Sequence, residues 1–144
     1  MDKFERLEHQ IHELIDLAFE ARSHAYVPYS NYAVGAALLT KSGNLYKGCN
    51  VESCSYTPTT CAERVALLKA VSEGEKEFVA IAVVGGPKDS THLEDIASPC
   101  GVCRQLIYEF GPDTLIIGAK SKEDYYVLPI AELLPKGFGP QHLK

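Results

Sequence analysis

The sequence has no apolar run long enough to cross a membrane, and its first residues, Met-Asp-Lys-Phe-Glu-Arg, are too charged to begin a signal peptide. It also has no linker, internal repeat or low-complexity stretch, so nothing indicates a second domain. We therefore expect one cytoplasmic domain over residues 1–144. A hydrophobic content of 46% is enough to fill its core.

Clusters of basic residues are missing as well. The 14 Lys and Arg residues are scattered and are outnumbered by 19 Asp and Glu residues, which gives a formal net charge of -5. Nucleic-acid binding requires clustered positive charge for phosphate contacts. The composition therefore favours a small-molecule partner over a nucleic acid or a membrane.

The five cysteines are an odd number, and in a reducing compartment they are better explained as metal ligands and free thiols than as disulfides. Three of them occur in two short motifs, Cys61-Ala62-Glu63 and Pro99-Cys100-Gly101-Val102-Cys103. The remaining two, Cys49 and Cys54, are expected to be small buried apolar residues.

The two motifs supply three thiols for one zinc ion and a carboxylate beside them. Each motif begins a predicted helix, so Cys61, Cys100 and Cys103 lie at helix N-termini, where free backbone N–H groups favour thiolates. Three protein ligands leave a fourth position open for a water whose pKa the ion lowers. Glu63 is the candidate acid/base for that water. The pattern predicts a catalytic zinc site.

Two other interpretations of these cysteines remain open on the sequence. Cys100 and Cys103 alone are also typical of a redox dithiol, since Cys-x-x-Cys at a helix start is a thioredoxin-like arrangement. Alternatively, Cys54 or His92 could complete a four-ligand structural site in a zinc-binding module without catalytic activity. Neither interpretation requires Glu63 after Cys61 or Pro99 before Cys100.

Hydrophobic periodicity predicts alternating helices and strands along the chain. An amphipathic helix covers residues 2–24, and a Gly-containing turn at residues 41–44 joins two strands of a hairpin. Residues 120–124 are too few for a parallel crossover, so the last two strands should pair antiparallel. The remaining predicted elements are strands 33–40 and 45–51, a helix 60–72, a strand 78–85, a helix 100–110, and strands 114–119 and 125–128.

The order helix-strand-strand-helix-strand-helix-strand-strand predicts an α/β fold with three layers, α/β/α, around a mixed five-stranded sheet. In open α/β sheets, ligands bind beyond the carboxyl ends of strands, where the following helices begin. Cys61, Cys100 and Cys103 all lie at such helix starts. The predicted fold and the predicted zinc site therefore support each other.

Several further segments accompany the two motifs in a specific order. They are Pro28-Tyr29-Ser30, Val34-Gly35-Ala36-Ala37-Leu38, Gly48-Cys49-Asn50-Val51-Glu52, Arg64 after Glu63, Arg104-Gln105 after Cys103, and Glu132-Leu133-Leu134-Pro135. In this order they resemble the homotetrameric cytidine deaminase family over essentially the whole chain. The resemblance implies zinc-dependent hydrolytic deamination of cytidine and deoxycytidine to uridine and deoxyuridine, a step of pyrimidine salvage.

The resemblance also implies roles for individual residues. Cys61, Cys100 and Cys103 hold one zinc ion per chain, and Glu63 shuttles protons. Asn50 and Glu52 resemble the pair that hydrogen-bonds the ribose 3′-hydroxyl. Ala62 resembles the residue whose backbone contacts the base. A deaminase of another nucleoside-like substrate, of the blasticidin type, would share the same zinc core.

Three more residues belong to the predicted site. Tyr32 stands where the family more often has Phe, at the wall of the base pocket, and its added hydroxyl needs a partner if it is buried. Phe138 resembles an aromatic residue that reaches the pocket of a neighbouring subunit and stacks on the pyrimidine. Arg64, three residues after Cys61 on the predicted helix, is expected to withdraw charge from a ligand sulfur by hydrogen bonding.

Overall fold

The computed structural model describes residues 2–143. It confirms the predicted order of helices and strands, with two short helical segments added near the C-terminus. In those residues, no helix combines the length and the apolarity that crossing a membrane requires. The elements are α1 (Lys3–Arg22), β1 (Tyr32–Thr40), β2 (Leu45–Cys49), α2 (Ala62–Ser72), β3 (Phe78–Pro87), α3 (Gly101–Glu109), β4 (Leu115–Ala119), β5 (Tyr125–Pro129), α4 (Ile130–Leu133) and a 3₁₀ turn (Pro140–His142).

The strands form one mixed sheet in the order β2-β1-β3-β4-β5. β1 pairs antiparallel with β2 and with β3, and β3 pairs parallel with β4. β4 and β5 pair antiparallel, as their short connection predicts. α1 packs on one face of the sheet, and α2 and α3 pack on the other. This is the predicted three-layer α/β/α architecture.

The two central strands, β1 and β3, are buried on both faces because a helical layer covers each side of the sheet. Along β1, Ala37 and Leu39 belong to the cluster formed with α1, whereas Ala36 and Leu38 belong to the cluster formed with α2 and α3. The apolar run of β3 is buried in the same way. It is therefore the central strand that the run predicted.

Two glycines allow helices to approach the sheet closely. A Cβ atom at Gly35 would lie 1.9 Å from the carbonyl oxygen of Ala18 in α1, and one at Gly48 would lie 2.5 Å from the carbonyl oxygen of Ala62 in α2. Any larger side chain at Gly48 would therefore displace the first turn of α2. That turn carries Glu63, so the close approach at Gly48 positions the predicted site.

The structure differs from the predicted boundaries at several element ends. Cys61 and Cys100 precede α2 and α3 as N-cap residues with extended backbone, so both helices begin slightly later than predicted. β2 ends at Cys49 instead of residue 51. The prediction missed α4 because its four residues are too few to show helical periodicity.

Glu75 connects the end of α2 to the turn between β1 and β2. Its carboxylate accepts a hydrogen bond from the Ser42 hydroxyl and another from Asn44 Nδ2 at 3.0 Å. These hydrogen bonds, that of Ser42 above all, lower the pKa of Glu75 to about 2. The hydrogen bond to Glu75 also raises the pKa of Tyr46 to about 12. The ionised carboxylate therefore stabilises the turn.

We expect Glu75→Gln to lower the free energy of unfolding at neutral pH, because an amide is a weaker acceptor than a carboxylate. The folded-state pKa of Glu75 lies below its ordinary value of 4.5, so its contribution is complete above about pH 4.5 and is lost as the pH falls toward 2. Thermal unfolding between pH 7 and pH 3 should show a difference from wild type that shrinks with falling pH. Glu77→Gln, outside this cluster, is the control, and a pH-independent difference would contradict the assignment.

Candidate active site

The structure brings the three predicted zinc ligands together. The Sγ atoms of Cys61 and Cys100 are 3.7 Å apart, those of Cys100 and Cys103 are 3.6 Å apart, and all three lie within 4.8 Å of one another. Cys61 and Cys100 are the N-caps of α2 and α3, and Cys103 is buried one turn into α3. Two helix N-termini therefore point toward the same cluster of sulfurs.

The spacing of the sulfurs fits zinc. Zinc bound to sulfur at about 2.3 Å in a tetrahedron separates any two sulfurs by about 3.8 Å. The observed separations are close to that value. Within residues 2–143, neither Cys54 nor His92 belongs to the group that could hold the ion. The residues present thus form a three-thiol set, and the four-ligand structural site has no support.

Hydrogen bonds within the cluster favour ionisation of one thiol first. The interaction with the Cys103 thiol, with a smaller contribution from Arg64, lowers the pKa of Cys61 to about 5. The same contact, together with burial, raises the pKa of Cys103. A cation among the three sulfurs favours the thiolate form of each of them. The cluster is therefore a site at which metal binding releases protons.

Arg64 lies against the cluster, at the position that the helical spacing predicted. Its Nη2 atom is 3.8 Å from Cys61 Sγ and donates to the carbonyl oxygen of Thr59 at 3.3 Å. The hydrogen bond to Cys61 raises the pKa of Arg64 further. Its Nε atom is buried and has no hydrogen-bond partner among the described residues. The guanidinium thus places a positive charge beside a ligand sulfur.

Glu63 is the buried carboxylate of the site. It lies in the first turn of α2 and is only 4% exposed. Burial, reinforced by the negative charge of Cys61, raises the pKa of Glu63 to about 7. A carboxyl group with a pKa near neutrality can both accept and donate a proton at physiological pH.

A cavity of about 250 Å³ opens beside Glu63 and the thiols. It is smaller than the roughly 300–1,000 Å³ of pockets for drug-sized ligands, as suits a compact ligand. The predicted site residues in its lining are Tyr32, Asn50, Cys61, Ala62, Glu63 and Cys100. The additional lining residues are Val34, Val83, Ile96, Ala97 and Ser98.

Asn50 lines this cavity and is tied to the edge of β1. Its Oδ1 atom accepts from the backbone N–H of Val34, and its Nδ2 atom donates to the carbonyl oxygen of Tyr32, both at 2.9 Å. Glu52 is not in the lining of this chain's cavity. Its Oε1 atom accepts from the backbone N–H groups of Tyr29 and Ser30, at 3.0 and 3.1 Å. The two polar residues are thus anchored to the segment that enters β1.

Tyr32 and Phe138 occupy different surroundings. Tyr32 lines the cavity and is 44% exposed, so water can satisfy its added hydroxyl. Phe138 lies outside this chain's cavity and is 56% exposed, with its ring stacked on that of His142 at 5.1 Å. Phe138 therefore does not contribute to the cavity of its own chain.

The prediction that both remaining cysteines are buried is wrong for Cys54. Cys49 is half-buried, but Cys54 is exposed. It lies in the irregular segment between Asn50 and Cys61, where Tyr56 has a φ of 66° and turns replace regular pairing. Apolar character alone cannot bury a residue in such a surface turn.

The sequence gives little signal for two other features of the site. Arg22, at the end of α1, donates from its guanidinium to the carbonyl oxygens of Ala33, Gly86, Pro87 and Ser90 at distances from 2.6 to 3.2 Å. It thereby joins the start of β1 to the end of β3. Residues 96–98 form one wall of the cavity without regular structure. In the sequence, only their position just before Pro99 and Cys100 could have indicated that these residues line the cavity.

Comparison with known proteins agrees with the geometry. A family model described as the cytidine and deoxycytidylate deaminase zinc-binding region matches residues 8–119. The chain belongs to the cytidine deaminase family. Because that region binds zinc, the chain holds one zinc ion, and Cys61, Cys100 and Cys103 form a group that could hold it.

Individual family members match most of the chain. A cytidine deaminase of Sporosarcina psychrophila is 43% identical over 134 residues, which are 92% of this chain and 94% of that protein. One of Halalkalibacterium halodurans is 47% identical over 126 residues, covering 87% and 91%. The crystal structure of cytidine deaminase from Burkholderia pseudomallei superposes with a TM-score of 0.79 at 44% identity, covering 88% of this chain and 98% of that one.

We expect Cys100→Ala to reduce the zinc content of the purified protein from about one ion per chain to near zero. Because a bound metal stabilises the folded state, the variant should also unfold at a temperature lower by on the order of 10 °C. Metal analysis and thermal unfolding measure the two effects. Cys54→Ala, which removes an exposed thiol outside the cluster, should leave both unchanged. An active wild-type protein with no zinc would contradict the assignment.

Proposed function

We propose that this chain catalyses the hydrolytic deamination of cytidine and deoxycytidine to uridine and deoxyuridine, with release of ammonia. The observation that carries the proposal is Glu63, a buried carboxyl group that shares one small cavity with two of the three thiols. The reaction needs a group that moves protons next to the metal centre. Glu63 meets that requirement in position and in pKa.

In the overall reaction, water adds its oxygen to the amino-bearing carbon of the base, the carbon–nitrogen bond breaks, and the amino group leaves as ammonia. Zinc, when bound, supplies the Lewis acidity that makes water a nucleophile at neutral pH. Glu63 accepts a proton from the attacking water and donates one to the ring nitrogen. It then accepts the second proton of that water from the newly attached hydroxyl group and donates it to the leaving amino group, as the carbonyl forms and the carbon–nitrogen bond breaks. One carboxyl group thus acts first as a base and then as an acid.

Arg64 supports this chemistry by lowering the charge on the ligand sulfurs. Three thiolates outweigh the charge of one zinc ion, and the excess would weaken its Lewis acidity. The guanidinium, 3.8 Å from Cys61 Sγ, offsets part of the excess, and the N-termini of α2 and α3 offset more. We therefore assign Arg64 to tuning the metal centre.

We assign the polar residues near the cavity to the sugar and the base. Asn50 retains one amide hydrogen and one lone pair beyond its contacts with β1, and Glu52 retains its Oε2 atom. Both can bind the ribose 3′-hydroxyl. Ala62 and Tyr32 line the same cavity, which supports assigning the backbone of Ala62 and the ring of Tyr32 to contacts with the base.

The preferred substrate should be a free nucleoside. In the part of the chain that the structure describes, the cavity lining contains no Lys or Arg that could receive a phosphate. A blasticidin-type substrate is not favoured, because relatives at 43% and 47% identity are cytidine deaminases. A non-catalytic zinc module does not require a buried carboxyl group such as that of Glu63 beside the metal site.

We place the reaction in pyrimidine salvage, because it converts one free pyrimidine nucleoside into another. We also place the enzyme in the cytoplasm. All five cysteines are free thiols, and a site built from three of them persists best in a reducing compartment.

The test of the proposal is an absorbance assay of cytidine with zinc measured on the same sample. The wild-type protein should turn cytidine over, and Glu63→Gln should lower kcat by about 100- to 10,000-fold, since an amide cannot carry the proton. Zinc content and uridine binding, measured by calorimetry, should be retained in the variant. Near wild-type turnover in Glu63→Gln would remove this residue from the mechanism.

We further propose that the enzyme is a homotetramer in which Phe138 completes the cavity of a neighbour. A groove between α2 and α3, about 700 Å³ in volume, is lined by Leu68 and Val102, which are 47% and 61% exposed. Exposed apolar side chains grouped in this way are typical of an interface. The exposed ring of Phe138 could then stack on the pyrimidine held by another copy.

We expect Phe138→Ala to raise KM for cytidine by about 5- to 150-fold with zinc content unchanged, because stacking an aromatic ring on a base contributes about 1–3 kcal/mol. Phe4→Ala, which removes an 82% exposed ring from α1, is the matched control and should leave KM unchanged. Sedimentation of the wild-type protein should give a tetramer. A monomer that is fully active at nanomolar concentration would contradict both parts of the proposal.

A further inference from the structure

One wall of the cavity is held by contacts that the mechanism above does not use. Residues 96–98 line the cavity beside Glu63 and have no regular structure. Pro99 and Cys100 follow directly, so the position of this wall is linked to that of a zinc ligand. A segment without its own backbone pairing depends on side chains from elsewhere for its position.

Gly118 in β4 leaves space for the side chain of Tyr126, which supports this wall. Gly118 is the register partner of Tyr126 in β5. A Cβ atom at Gly118 would lie 2.2 Å from Cε2 of the Tyr126 ring and 2.6 Å from the carbonyl oxygen of Ala97. The ring therefore lies across β4 at the point where the backbone of the wall touches the sheet.

The hydroxyl of Tyr126 then reaches the wall itself. Tyr126 Oη and Ser98 Oγ are 2.8 Å apart, a normal hydrogen-bond distance. Pro99 restricts the backbone of Ser98 to extended conformations, and Arg104 Nε donates to the carbonyl oxygen of Pro99 at 2.7 Å. With the backbone held in this way, the contact with Tyr126 determines where the Ser98 hydroxyl points.

We infer that Tyr126 is a positioning residue that holds Ser98, and with it the wall of residues 96–98, against the bound nucleoside. The inference rests on the proposed function. Tyr126 does not line the cavity, so it acts through Ser98. Because a cavity wall contacts the substrate before and during the reaction, its displacement should weaken binding and leave the chemical step unchanged.

The experiment is a double-mutant cycle on the zinc-loaded enzyme with Tyr126→Phe and Ser98→Ala. Tyr126→Phe keeps the ring over Gly118 and removes only the hydroxyl. It should raise KM for cytidine and the Kd for uridine by roughly 2- to 12-fold, the range of one hydrogen bond, with kcat within about twofold of wild type. In the Ser98→Ala background, Tyr126→Phe should have no further effect. Zinc content should be unchanged throughout.

Tyr125→Phe is the matched control. Tyr125 lies next to Tyr126 on β5, packs with the cluster on the α1 side of the sheet and contacts the ring of His12 edge-on at 6.2 Å. Its variant should bind uridine like wild type. Unchanged KM and Kd in Tyr126→Phe, effects that add in the double variant, or a fall in kcat alone would each overturn the inference. Failure of the proposed function is distinguishable, because the wild-type enzyme would then neither deaminate cytidine nor bind uridine.

Discussion

Three sulfurs within 4.8 Å of one another cannot all carry negative charge unless positive charge is placed among and around them. Zinc supplies most of that charge, and the N-termini of α2 and α3 and the guanidinium of Arg64 supply the rest. The fold meets this requirement by packing both helices on the same face of the sheet, with their first turns adjacent. Glu63 lies in the first turn of α2, so its burial follows from the position of that helix.

Much of this arrangement could be predicted from local sequence. Helical spacing predicted α1, the continuous apolar run of residues 78–85 predicted a central strand, and the short connection after β4 predicted an antiparallel partner. The grouping of the three thiols was predictable because Cys61 and the pair formed by Cys100 and Cys103 each stand at a helix start. Such features depend on neighbours along the chain, and these are visible in the sequence.

Contacts between residues distant in sequence could not be predicted. The approach of α2 to Gly48 depends on the sheet and the helix layer together. The four carbonyl oxygens that Arg22 binds belong to Ala33 and to residues 86–90, two stretches that are distant in sequence. Residues 96–98 have no regular structure and show no periodicity, so their position in the cavity wall could not be predicted either. The exposure of Cys54 likewise depends on turns whose positions are determined by the elements on either side.

The hydrogen bonds of Asn50 have a consequence for the energetics of ligand capture. Both polar atoms of its amide are fixed by β1, so the side chain has one rotamer and one orientation of oxygen and nitrogen. Ordering a mobile side chain during association typically costs about 0.5–1.5 kcal/mol. For Asn50 that entropy is already lost when the chain folds. Under the proposed assignment of Asn50 to the sugar, the hydroxyl meets a donor and an acceptor in fixed positions, so this amide cannot rotate to accommodate an epimer with the hydroxyl on the opposite side.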